Sequence, residues 1–123
     1  MLMVLVAGPY RSGTNDDPTL LDANMRVMNE AALALFRAGH LGLTGEAVAL
    51  PLVKHAGSHA IGDASWNELM HPIGRMLAER CDAVLRVGGP SAGADEMVAI
   101  ARAHGKRIFH SVEELVRSVE CEL

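Results

Sequence analysis

The chain has 123 residues, half of them hydrophobic, with aromatics at 3% and a formal net charge of −4. That length suits a single domain over 1–123, and an acidic, aromatic-poor chain excludes a nucleic-acid polymer as partner, which needs a basic face and stacking rings. No segment approaches the length of a membrane span, residues 1–7 lack the pattern of a secretory signal, and Cys81 and Cys121 make neither a disulfide framework nor a zinc spacing, so the reduced cytoplasm is the expected location.

In chain order, Leu2–Ala7 is a near-continuous apolar run, as expected of a central parallel strand covered on both faces. A loop from Gly8 to Asp17 follows. Asp17-Pro18 then opens a helix with a carboxylate cap and proline at the first helical position. Leu21, Met25, Met28, Ala32 and Leu35 recur at steps of four and three, which predicts one buried stripe, and Gly39 stops the helix. Leu41–Leu43 reads as a short second strand. From Thr44 to Ala64 the pattern breaks: Pro51 interrupts an apolar run, and His55–Gly62 is rich in Gly, His and Ser. This region is expected to be a long functional loop holding a helical turn, a binding or lid element.

Ser65-Trp-Asn-Glu68 fits a capping box. The predicted helix runs to about Arg80 with Leu69, Ile73, Met76 and Leu77 inward, and Pro72 is expected to kink it or mark its start. Ala83–Val87 reads as strand three, Ala94–His104 as a helix with Met97, Ile100, Ala101 and His104 inward, and Arg107–His110 as strand four. Ser111-Val-Glu-Glu114 is a second capping box that opens a final helix to about Val119. Alternating strands and helices predict an α/β fold with a parallel sheet of four or five strands, a small three-layer sandwich. Ligands in such folds sit at the carboxyl ends of the strands, at the topological switch point.

Two turns fall at that edge. Asp82 to Glu96 is strand, Gly-rich turn and helix start, which aims backbone N–H groups and the positive end of a helix dipole at one spot. Such a spot suits phosphate or a working carboxylate. Ala7-Gly-Pro-Tyr-Arg-Ser-Gly13 ends the first strand in a similar way. Gly8, Arg11, Ser12 and Gly13 are candidates for a phosphate or sugar cradle, with Arg11 supplying charge and Ser12 a hydroxyl, and Ser91 and Gly93 for contact through hydroxyl and backbone N–H. A plain turn and a plain helix cap explain the same residues. His55 and His59, four apart, with His71, raise a metal site. No Cys or carboxylate spacing completes one, and Gly57 opposes a helix there, so no metal and no cofactor is expected; these histidines suit the polar lining of a lid. Trp66 suits a buried anchor at the helix start or a stacking surface for a base. Asp82 suits a cap at the helix-to-strand junction.

Val6-Ala-Gly-Pro-Tyr10, Asp82-Ala-Val-Leu-Arg-Val87, Ser91-Ala-Gly-Ala94 and Ala101-Arg-Ala-His-Gly-Lys106, in this order, resemble the N-(deoxy)ribosyltransferase-like superfamily of nucleoside 2-deoxyribosyltransferases and deoxynucleoside monophosphate N-glycosidases. The resemblance implies a flavodoxin-like fold, a nucleoside or nucleotide ligand held by Gly8, Tyr10, Arg11, Ser12, Ser91 and Gly93, and hydrolysis or transfer at the N-glycosidic bond. It also implies a Glu nucleophile early in the helix after the Ser-x-Gly turn, working as in a retaining glycosidase. The family places that Glu four residues after the turn glycine, where this chain has Met97; Glu96 is one residue early, about 100° around a helix. The family's Asp eight residues before Asp82 is Gly74 here, and the aromatic that usually ends its first strand is Leu5. Glu96 is therefore the candidate nucleophile, and the alternative is a non-catalytic nucleotide-binding module of the same fold. A homo-oligomer is expected, since the chain is short and strongly apolar and its long loop needs covering.

Overall fold

The computed structural model describes residues 1–121. Strands β1 (Met3–Ala7), β2 (Leu41–Leu43), β3 (Ala83–Arg86) and β4 (Arg107–Phe109) form one parallel sheet in the order β2-β1-β3-β4. Helices α1 (Pro18–Arg37), α2 (Gly45–His55), α3 (Ala64–Arg80), α4 (Ala92–Ala103) and α5 (Val112–Glu120) flank it. The fold is α/β, a flavodoxin-like three-layer sandwich. Its strand order reverses between β1 and β3, which pair Val4 with Ala83 through Ala7 with Arg86. Crevices for ligands open at the carboxyl ends of such a strand pair.

The central strands are apolar on both faces because both are covered. On one face Val4, Val6, Ala83 and Leu85 pack under Met28 and Leu35 of α1 and Leu115 of α5. Burying a Leu of this kind contributes about 1.5–3 kcal/mol. On the other face Leu5, Ala7 and Val84 meet Ala78 of α3 and Ala94, Val98 and Ala101 of α4. Helix α2 packs chiefly on α3 rather than on the sheet. The α1 stripe is as its spacing predicts, with Leu21, Met28 and Leu35 buried and Met25 and Ala32 packed against them. Asp82 closes the α3–β3 junction: its carboxylate accepts from the Met3 N–H at 2.8 Å, and its own N–H donates to the Met3 carbonyl.

Five expectations are corrected. The segment after Thr44 is not a long loop; residues 45–55 are helical, and only Ala56–Asp63 connects α2 to α3. Thr44 caps α2 by accepting the Ala47 N–H at 3.0 Å, and Pro51 sits on the exposed side of the helix interior. An internal proline costs about 3 kcal/mol, which packing of Ala49 and Val53 against neighbouring elements offsets. The cap of α3 is Asp63, not Ser65, since an earlier carboxylate reaches the Trp66 N–H at 3.0 Å. Starting there, α3 buries Trp66, Gly74 and Ala78, while Leu69, Ile73 and Leu77 are half-buried and Met76 is 61% exposed. Pro72 lies inside the helix and does not mark its start. In α4 the buried set is Ala94, Val98 and Ala101, with Met97 and Ile100 half-buried and His104 exposed. Among the described residues no helix is long and apolar enough to cross a membrane.

Candidate functional site

The ends of β1 and β3 meet. The Val87 N–H donates to the Ala7 carbonyl at 2.9 Å, and Gly8 lies so close that a Cβ there would stand 2.9 Å from the Val87 carbonyl oxygen. No larger residue fits without moving backbone, which gives this glycine a structural reason. Beside the junction opens a pocket of about 270 Å³, walled by residues 5–8 and 10–12, the start of α2, the first half of α3 and the start of α4. Ligand sites generally run to about 300–1,000 Å³, so this one lies just below that range. Gly8, Tyr10, Arg11, Ser12, Ser91 and Gly93, proposed from separate stretches of sequence, all line it.

The β1–α1 loop is held by its own hydrogen bonds. The buried Thr14 hydroxyl donates to the Arg11 carbonyl at 2.6 Å and accepts from the Asp16 N–H, and Asn24 Nδ2 donates to the Tyr10 carbonyl at 2.8 Å. The Arg11 guanidinium makes two bonds to the Asp16 carboxylate, at 2.8 and 3.1 Å, and lies 6.0 Å from the centre of the Trp66 ring. It keeps Asp16 below the usual carboxylate range through the hydrogen bond. The charge of Arg11 is therefore already partnered, and an incoming anion shares it with Asp16. Ser12 is exposed at the mouth.

The α3 wall begins at Asp63. Its carboxylate accepts from the N–H groups of Trp66, His59 and Ala60 and from the Ser58 hydroxyl, and these bonds pull its pKa down to about 2. They fix the first turn that carries Trp66. The Trp66 ring stacks on Tyr10, with centroids 6.2 Å apart and planes 17° apart. Burial, then the nearby Glu46 and Asp22 charges, push the Tyr10 phenol up, so it stays neutral. One and two turns further along α3 come Met70, His71 and Gly74.

At the α4 end the Ser91 hydroxyl accepts the Ala94 N–H at 3.1 Å, a helix cap that also faces the pocket. Arg86 braces this turn: it donates to Asp95 Oδ1 at 3.0 Å, to the Gly89 carbonyl at 2.8 Å and to the Val87 carbonyl. Met97, half-buried, faces the pocket with its sulfur against Gly74, where a Cβ would stand 3.2 Å away. Glu96 lies outside the wall. Its Oε2 is 2.8 Å from Nε2 of His71, which is part of the pocket wall; the two side chains are 50% and 47% exposed. The one-residue offset of the sequence thus turns Glu96 sideways onto its neighbour helix.

One titratable wall residue escapes the sequence analysis, and a second, His71, enters it only among the lid histidines. Glu46, in the first turn of α2, is the only carboxylate in the wall among the described residues, and burial raises its pKa. Its signal, a Glu two residues after the capping Thr44, was hidden because Pro51 masked the helix. His71 belongs to the wall, whereas His55 and His59 do not. The three do not assemble: among the described residues no group of three or more His, Cys, Asp or Glu is placed to hold a metal. Both Cys81, buried, and Cys121, exposed, are free thiols.

The pocket and the fold together define a small α/β protein with a ligand crevice at the switch point of a four-stranded parallel sheet. No protein-family model matches the chain, and no curated protein matches it.

Proposed function

We propose that the pocket takes a nucleoside or nucleoside monophosphate and that the protein cleaves or transfers at the N-glycosidic bond, with Glu96 of α4 as the carboxylate the reaction depends on. The observation that carries the reading is the union of the first and third strand ends in one pocket that pairs an aromatic stack with donors. A base has a place against Tyr10 and Trp66, since every base offers a π-face for stacking. Sugar or phosphate oxygens have the free N–H groups at the start of α4, the site where helices receive anions, together with Ser12, Ser91 and a share of Arg11. The family resemblance of the turns supports the same ligand class and the same bond.

A second reading, a binding module without turnover, is favoured by Met97 standing in the wall where the resemblance expects Glu. One experiment separates the two. Deoxynucleosides and their monophosphates are titrated calorimetrically and incubated with the protein while free base is followed by chromatography. Saturable binding with base release that disappears in Glu96→Ala supports the first reading. Binding without release supports the second, and no binding by any of them overturns both.

A further inference from the structure

The pocket holds two titratable groups in opposite circumstances. His71 is part of the pocket wall, and its Nε2 is engaged by Glu96 at 2.8 Å. With Nε2–H donated to the carboxylate, Nδ1 is left as the acceptor, the arrangement by which a carboxylate fixes a histidine's tautomer and ring orientation. Nδ1 has no partner among the described residues. The half-exposed setting of the pair admits water, which a base needs in order to activate it. Glu46 lines the same pocket from α2 with no cation paired to it among the described residues, and burial favours its protonated form. An imidazole with a free acceptor nitrogen and a carboxyl that burial keeps protonated, on one pocket wall, are suited to the roles of base and acid.

We propose that His71, oriented by Glu96, is the general base and Glu46 the general acid of a direct, inverting hydrolysis of the N-glycosidic bond. This rests on the nucleoside reading above and narrows it to hydrolysis, with Glu96 acting through His71 rather than on the sugar. Water attacks the anomeric carbon as its proton passes to His71 Nδ1. The C–N bond breaks with its electron pair going to the base nitrogen, and that nitrogen, or one conjugated to it, takes the Glu46 proton. The products are free sugar and free base, and the proton on His71 returns to Glu46 through solvent. Glu96 never bonds to carbon; it is a positioning residue. An inverting pair of this kind leaves room for a water on the face opposite the leaving group. No glycosyl-enzyme forms, so no sugar passes to a second base.

The test uses the intact protein and β-2′-deoxynucleosides or their 5′-monophosphates. Early proton spectra read the anomer of the released sugar, a second base is added to detect exchange, and calorimetry reads binding in parallel. The α-anomer first, with no exchange, is the expected result. His71→Ala and His71→Gln should each lower kcat about 100-fold or more, the usual worth of a general base, with KM within about threefold. Glu96→Gln should lower kcat about 10- to 100-fold, as loss of an orienting carboxylate does, and Glu96→Asp should recover part of it. Glu46→Gln should slow release most for the bases that leave least readily. Retained β-anomer, base exchange, or full activity in both His71 variants overturns the dyad. Binding without release also overturns it while the ligand reading stands; absence of binding removes the ligand reading itself.

Discussion

The two faces of the sheet are built from different sizes of residue. Toward α1 and α5 the strands present Val4, Val6 and Leu85 to Met28, Leu35 and Leu115, and the space is filled. Toward α3 and α4 they present Leu5, Ala7 and Val84 to Ala78, Ala94 and Ala101, and further along to Gly74 and Met97. Small residues bring the helices close to the sheet near its middle. Beyond the ends of β1 and β3 the same small residues leave a hollow. One face thus carries stability, and the other gives up packing for a place to bind.

The comparison breaks first, and with the largest effect, if the filled face proves soft. Leu35→Ala should cost about 2–5 kcal/mol, as deletions from a fully buried site do, read as a lower urea midpoint at unchanged slope; Leu35 is 0% exposed. Next is Gly8→Ala at the seam, whose new methyl would meet the Val87 carbonyl oxygen at 2.9 Å. Overpacking should cost about 1–3 kcal/mol and weaken nucleotide binding, since the strand ends must separate. A matched pair of caps sharpens the contrast. Ser91 and Ser111 each accept a helix N–H, from Ala94 and Glu114. Each change to Ala should cost about 1 kcal/mol in thermal or chemical unfolding, but only Ser91→Ala should lower ligand affinity.

The smallest effect is a test of sign. Burial raises the Glu46 pKa above its ordinary 4.5. The folded protein therefore holds that proton more tightly than the unfolded chain. The stabilising contribution is complete below the ordinary value and is lost as pH rises through the folded value. Glu46→Gln should raise the Tm at pH 7 and leave it nearly unchanged at pH 3.5. A Tm lowered at pH 7 would mean that the carboxylate is held by favourable contacts in the folded state.

Most of the fold is legible because its signals are local. The apolar runs give β1 and β3, the step of three and four gives α1, and Asp17-Pro18 and Ser111 give helix starts that the structure keeps. The final cap differs in one detail: the Glu114 carboxylate reaches back to the His110 N–H, one residue before the expected partner. Helix α2 was illegible because Pro51 ends a pattern read along the chain, while what holds α2 lies on α3. The wall of the pocket was legible wherever it is backbone and turn, at Gly8 to Ser12 and Ser91 to Gly93. Glu46 was not, and His71 could not be told from His55 and His59, because what sets them apart is which helices lie together. Arg86 hides for a similar reason: within a strand it reads as an edge charge, whereas it ties the β3–α4 turn to Asp95.

The placement of β1 in the middle of the sheet has a kinetic side. Residues 3–5 find their first neighbour in residues 41–43, but the other edge stays open until residues 83–86 exist. During synthesis at about 5–20 residues per second, a strand with apolar side chains on both faces waits several seconds for its second partner. Pairings so distant in sequence form slowly, and a chaperone that shields β1 during that interval would raise the yield of folded protein more than one acting on the finished chain.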